Sequence, residues 1–75
     1  MKRYAIVIEE TGTGYSAYSP DLPGCASTGH TREEVEANIR EAIQFHIDGL
    51  KLEGYEVPEP STEPSPDSSY VLVGA

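Results

Sequence analysis

The chain has few of the residues that usually stabilise a small domain. It has no tryptophan and a single cysteine, Cys25, so no disulfide can form within one chain. A lone cysteine fits a reducing, cytoplasmic setting. A domain of this size buries only ~60% of the surface that its unfolded chain exposes, and small scaffolds usually add a disulfide, a metal or a partner. We therefore expect one domain over residues 1–75 that gains buried surface by association.

Metal ligands and long apolar runs are also scarce. The soft ligands are Cys25, His30 and His46, and no CxxC or HxxxH pair is present, so we expect neither a metal nor another cofactor. The apolar run Tyr4–Ile8 is far too short for a signal-peptide core. Nothing approaches the ~20 apolar residues that a membrane span needs. We expect a cytoplasmic chain without membrane contact.

Basic residues are few. Five lysines and arginines stand against 13 aspartates and glutamates, for a net charge of −8. Such a surface repels phosphate backbones, so we expect no direct nucleic-acid binding by this chain. The charge favours a basic protein partner instead, although charge also keeps a small protein soluble without any partner.

Turn residues divide the first part of the chain into three strands. Tyr4–Ile8 is apolar at every position and predicts a central strand. The turn Thr11–Gly14 leads into a second strand over Tyr15–Ser19, which predicts a hairpin. Prolines then interrupt the chain before Cys25–Thr28, which is short and polar, as is typical of an edge strand.

One helix is strongly indicated. Thr31 precedes Glu34 by three residues, the pattern of a capping box. Apolar residues then recur at helical spacing from Val35 to Leu50, and Gly54 is a plausible stop. These signals predict a helix from Arg32 to Glu53.

The last part of the chain changes character. Residues 55–69 are rich in proline, serine and acidic residues, and residues 70–73 resemble a final strand. Counting strand directions predicts an α+β fold, β-β-β-α-β, with sheet order 3-2-1-4 and one helix on one face. The last strand is expected to run parallel to the first, through a right-handed crossover. Residues 55–69 form a connection roughly three times the ~4–6 residue median, so we expect them to be surplus to the fold.

Several motifs stand in a fixed order along about the first sixty residues. They are the turn Pro20–Cys25, the helix start Gly29–Glu34, the helical segment Asn38–Ala42 and the exit Gly54–Ser61. In order and spacing this set resembles the HicB-like antitoxins of bacterial toxin–antitoxin systems. The resemblance implies a partial RNase-H-like fold. It also implies a protein that neutralises a small basic HicA-type mRNA-cleaving toxin by covering its active site.

Two further expectations accompany the resemblance. Many family members carry an additional DNA-binding segment, but these 75 residues contain none, so we do not carry operator binding over. Exposed carboxylates such as Glu9, Glu10, Glu34 and Glu41 are more often solvated than catalytic, and we expect no enzyme. The alternative function is a stand-alone homo-oligomeric binding module with another ligand and no toxin partner.

Two groups of residues are predicted to make contacts. Tyrosines suit an interface because they combine apolar area with a polar tip, and the acidic exit suits a basic partner. The last strand has apolar or aromatic side chains throughout and no charge or proline to protect its edge, so it is expected to form a homo-oligomer. The predicted toxin contacts are Tyr15, Tyr18, Asp21, Leu22, Glu56 and Glu59, and the predicted oligomer contacts are Tyr70, Val71, Leu72 and Val73.

Overall fold

One helix lies on one face of a four-stranded sheet in the computed structural model, which describes residues 2–60 and 68–74. The sheet order β3-β2-β1-β4 is the predicted one, and the α+β class is confirmed. The helix begins at the predicted residue. The elements are β1 (Lys2–Glu10), β2 (Tyr15–Tyr18), β3 (Ala26–Gly29), α1 (Arg32–Leu52) and β4 (Ser68–Val73).

The central position of β1 in the sheet explains why its sequence is apolar at successive positions. Antiparallel neighbours lie on both sides, with Ile8 opposite Ala17 of β2 and Tyr4 opposite Val71 of β4. Side chains alternate along a strand, so Tyr4 and Ile6 point to the helix, whereas Ala5 points to the open face. Tyr4, Ala5 and Ile6 are all buried.

The core forms where the helix crosses the sheet. One stripe of α1, spaced four residues apart, is completely buried, as expected for an amphipathic helix on a sheet. Leu22 and Cys25 close this core at the β2–β3 turn. The buried stripe of α1 consists of Val35, Ile39, Ile43 and Ile47, and it packs on Tyr4, Ile6, Ala17, Val71 and Val73.

The predicted capping box sets the start of the helix. The backbone N–H of Glu34 donates to Thr31 Oγ1 at 3.0 Å, and Glu34 Oε1 accepts from the backbone N–H of His30 at 3.0 Å. Two backbone N–H groups at the start of the helix are thereby satisfied. The Glu34 carboxylate reaches one residue further back than in the standard box.

The direction of the last strand was wrongly predicted. β4 runs antiparallel to β1, with Val73 opposite Lys2 and Ser68 opposite Val7. Glu59 contacts Lys2 at the start of β1, whereas the chain re-enters the sheet at Ser68, beside Val7 further along β1. β4 therefore begins beside Val7 and runs towards the start of β1, opposite to the expected direction. The predicted parallel last strand of a partial RNase-H-like topology is not present.

The exit from the helix is also more than surplus chain. Val57 packs half-buried against the core, and the Tyr4 hydroxyl donates to the Pro58 carbonyl at 2.6 Å. The Lys2 ammonium lies 2.6 Å from a Glu59 carboxylate oxygen. The first part of the predicted surplus segment thus belongs to the fold, while residues 61–67 lie outside the described residues.

Gly29 provides a test of the contact between the sheet and the helix start. A Cβ at Gly29 would lie 2.6 Å from the backbone nitrogen of Val35, so Gly29→Ala must push β3 away from α1. Overpacking of this kind costs about 1–3 kcal/mol of unfolding free energy. Urea denaturation followed by circular dichroism measures the loss.

Gly12→Ala is the matched control, because a Cβ at Gly12 would meet nothing within 4 Å. We expect its unfolding free energy to stay within about 0.5 kcal/mol of wild type. Equal stability of the two variants would contradict the close approach of β3 to α1.

Candidate functional site

A second apolar stripe runs along α1 beside the buried one. Ala42, Phe45, Gly49 and Leu52 follow one another at steps of three and four residues, which places them on one flank of the helix. Phe45 is 81% exposed and Leu52 is 86% exposed. Large apolar side chains grouped in this way on a surface are informative, because scattered single ones are normal and contiguous ones mark contact sites.

The end of the helix brings Tyr55 to the same flank. The Tyr55 N–H donates to the Leu50 carbonyl at 2.8 Å, and the Gly54 N–H donates to the Lys51 carbonyl at 3.2 Å. Gly54 has φ +78°, so this is a Schellman motif with its left-handed glycine. The motif turns the chain back, and the exposed Tyr55 ring extends the apolar flank.

The opposite wall comes from the turn between β2 and β3. Leu22 and Cys25 hold this turn, with the Cys25 N–H donating to the Leu22 carbonyl at 3.0 Å. Between this wall and the helix lies a groove of about 500 Å³. We call it the apolar groove; it is lined by Gly24, Cys25, Ala26, Ala42, Phe45, His46, Gly49, Leu50, Leu52, Glu53 and Tyr55.

Acidic side chains border the apolar groove. Glu53 lines it, and Glu41 lies beside Ala42 and Phe45 in a neighbouring depression. Both carboxylates are exposed, as is Glu56, which directly follows Tyr55. The border of the groove is therefore negative.

Arg40 and Lys51 lie on the other flank of the helix. Helical spacing places Arg40 four residues before Gln44 and Lys51 seven residues after it, along one line. The Gln44 side chain donates to the Gly74 carbonyl at 3.0 Å and accepts from the Gly74 N–H at 2.9 Å. This flank is therefore turned to the end of β4, away from the groove.

The structure divides the predicted toxin contacts between different surfaces. Tyr15 packs half-buried against the core on the helix side, whereas Tyr18 is exposed on the open face of the sheet. Leu22 was wrongly predicted as a contact residue: it is 0% exposed, because the β2–β3 turn folds it into the core. These three residues do not form one surface.

The acidic residues among the predicted contacts differ in their surroundings. Asp21 is half-buried. Burial is the main cause of the raised pKa of the nearby Tyr4 phenol, and the charge of Asp21 adds to it. Glu56 is exposed, while Glu59 is paired with Lys2, whose pKa it raises. Tyr15, Tyr18, Asp21, Glu56 and Glu59 stay predictions as toxin contacts.

The predicted oligomer strand is an edge strand, but only part of it faces outward. Val71 and Val73 are buried beneath the helix, so their side chains were wrongly predicted to be available for contact. Tyr70 is 39% exposed on the open face, with the Arg3 guanidinium 4.5 Å from its ring centre. The side chain of Leu72 lies outside the described residues.

The positions of Cys25 and His30 do not suit a nucleophile–base pair. They stand at the two ends of β3, about 16 Å apart for an extended strand. Burial also raises the pKa of the Cys25 thiol and so reduces its reactive thiolate. Within residues 2–60 and 68–74 no group of three or more histidine, cysteine or acidic side chains could hold a metal ion.

The fold and the apolar groove define a small α+β domain with an exposed apolar surface beside its helix. Residues 4–66 match the family model described as a HicB-like antitoxin of bacterial toxin–antitoxin systems. The chain therefore belongs to the HicB-like antitoxin family.

None of its described helices is long and apolar enough to cross a membrane.

Antitoxin HicB 2 of Photorhabdus laumondii is 34% identical over 61 residues, which are 81% of this chain and 44% of that antitoxin. A 14.9 kDa protein of Haemophilus phage HP1 is 45% identical over 56 residues, which are 75% of this chain and 42% of the phage protein. The chain thus spans less than half the length of that relative.

Solved structures match almost the whole chain. The N-terminal domain of the Burkholderia pseudomallei antitoxin HicB superposes with a TM-score of 0.84 at 26% identity, covering 97% of this chain and 99% of that one. A chain of the HicA3 and HicB3 toxin-antitoxin complex gives a TM-score of 0.79 at 29% identity, with the same coverage.

Tyr4 provides a pH-dependent test of the contact that fixes the exit segment beyond the groove. Burial raises the pKa of the Tyr4 phenol, and the phenolic proton is the one donated to Pro58. Above pH about 10 the unfolded chain loses this proton first, so the unfolding free energy should fall as pH rises further. The Tyr4→Phe variant has no phenolic proton, so its unfolding free energy should not show this part of the fall at high pH. At neutral pH its unfolding free energy should be about 1 kcal/mol lower than that of wild type.

Chemical denaturation between neutral pH and pH about 11 measures both effects. The exposed Tyr55 is the control, because Tyr55→Phe should leave the pH dependence as in wild type. A Tyr4→Phe profile that overlies the wild-type profile would show that the hydroxyl contributes nothing to the exit segment.

Proposed function

We propose that this chain is an antitoxin that neutralises a small, basic, HicA-type mRNA-cleaving toxin in the cytoplasm by covering the toxin's active site. The observation that carries the proposal is the exposed apolar groove with an acidic border, on a chain of the HicB-like antitoxin family. The match to a chain of the HicA3 and HicB3 toxin-antitoxin complex supports it further.

Neutralisation of this kind needs no chemistry from the antitoxin. An mRNA-cleaving protein must present a positive surface to its substrate. A protein with net charge −8 competes for that surface, and charge complementarity speeds the encounter and fixes orientation. Apolar contacts then determine how long the complex lasts, because affinity differences lie mostly in the dissociation rate.

Co-expression tests the proposal. A HicA-type toxin encoded beside the gene for this chain should arrest growth, and the wild-type chain should relieve the arrest. The purified proteins should bind each other, and the affinity should fall as salt concentration rises, because exposed charges are screened. Persistent growth arrest with both proteins soluble would contradict the antitoxin function.

A second candidate function is the homo-oligomeric binding module without a toxin partner. One observation favours it: β4 pairs with β1 alone among the described strands, and Tyr70 remains partly exposed beside that edge. An unpaired edge is a template for another strand. A dimer is the simplest closed arrangement.

Sedimentation equilibrium at micromolar concentration tests self-association, with a dimer mass expected. Tyr70→Glu distinguishes a dimer packed through the open faces of the sheets from a dimer paired through the β4 edges. The change should weaken packing between open faces, where Tyr70 lies, but should leave edge-to-edge pairing intact. A monomer mass with a folded circular-dichroism spectrum would rule the oligomer out.

A further inference from the structure

We propose that the apolar groove is the docking site for one apolar side chain of the toxin, flanked on the toxin by lysine or arginine. This inference rests on the proposed function and deepens it. The sequence-predicted contacts did not include the groove. Phe45, Gly49 and Leu52 carry the case, together with the acidic residues beside them.

Gly49 is the first observation. It lies inside α1, where glycine is the poorest helix former after proline. A Cβ at Gly49 would meet nothing within 4 Å, so packing among the described residues does not require glycine. Gly29 is the opposite case, because there a Cβ would strike the helix backbone. What the absent side chain at Gly49 does provide is open space in the wall of the groove.

The exposed side chains around that space are the second observation. Phe45, Leu52 and Tyr55 stand beside Gly49 and remain largely exposed. Apolar anchors that fill pockets carry most of the binding energy at protein interfaces, and aromatic residues are enriched among them. The groove therefore has both a cavity for an anchor and an apolar rim to exclude water around it.

The charge around the groove indicates which kind of partner fits it. Glu53 lines the groove and Glu41 lines the neighbouring depression, while Arg40 and Lys51 lie on the other flank of the helix. A second copy of this chain would bring the same carboxylates and a net charge of −8 against themselves. A basic partner would instead be attracted and correctly oriented. The observations favour the toxin over self-association at this surface.

Gly49→Gln is the central variant. Glutamine favours the helix more than glycine, so the variant should be at least as stable as wild type while its side chain fills the groove. We expect toxin binding to weaken at least tenfold. Ala37→Gln is the matched control, because Ala37 is an exposed residue on the other flank of α1, and it should bind as wild type.

Removal of the border charges tests the basic part of the inference. The double variant Glu41→Gln/Glu53→Gln should bind the toxin several-fold more weakly, with a shallower salt dependence. Glu9→Gln/Glu10→Gln removes the same charge from the exposed end of β1 and serves as control. Equal loss in both double variants would show that only net charge matters and would overturn the specific role of the groove border.

The experiment with the toxin has two readouts. Co-expression measures the rescue of growth, and titration of the purified toxin into the purified chain measures binding. If the wild-type chain rescues growth and Gly49→Gln does not, the inference is supported. If both rescue equally and bind equally, the proposed function stands and the inference is overturned.

A peptide-binding experiment tests the inference if the wild-type chain does not restore growth with any toxin. The probe is a synthetic amphipathic peptide with a leucine and phenylalanine stripe flanked by lysines, and its control has glutamate in place of each lysine. Binding of the lysine peptide to wild type but not to Gly49→Gln, measured by fluorescence anisotropy, supports a basic-apolar docking groove. Equal binding of both peptides, or equal binding to both proteins, overturns it.

Discussion

The packing of the buried stripe of α1 on the centre of β1 is the contact on which the rest of the structure depends. Tyr4 and Ile6 of the strand meet the four buried residues of the helix, and all are fully enclosed. A 75-residue chain can form only one core of this kind. The rotation of the helix about its axis is thereby fixed.

The position of the apolar groove follows from that rotation. With Ile39 and Ile43 facing the sheet, Phe45 and Leu52 must project beside the β2–β3 turn, and Gln44 must project towards the end of β4. One flank of the helix consequently contacts the end of β4 and carries Arg40 and Lys51. The other flank is left apolar, exposed and bordered by carboxylates, which is the arrangement suited to a basic partner.

Local signals in the sequence predicted the helix and the order of the strands well. Thr31 and Glu34 act within one turn, so their pairing is independent of the rest of the fold. The sheet order was predictable because β1 is apolar on both faces and therefore needs a neighbour on each side. The direction of β4 was not predictable, because fifteen residues separate Leu52 from Ser68 and a connection of that length can reach either end of β1.

The site was harder to predict than the fold. Leu22 lies in a turn between prolines, and turns usually lie at the surface, yet its side chain closes the core. Phe45 and Leu52 were overlooked because periodicity finds the stripe that is buried and passes over a second stripe with the same spacing. Gly49 was the sequence signal that could have indicated the groove, because a glycine inside a strong helical pattern lowers helix stability and usually has a packing or functional role.

The proposed binding surface can be tested directly by following backbone amide resonances of the labelled chain while a HicA-type toxin is added. Docking in the apolar groove should shift the resonances of Phe45, Gly49, Leu52 and Tyr55 first and most strongly. Shifts confined to Tyr18 and Tyr70, on the open face of the sheet, would place the toxin elsewhere and contradict the role of the groove.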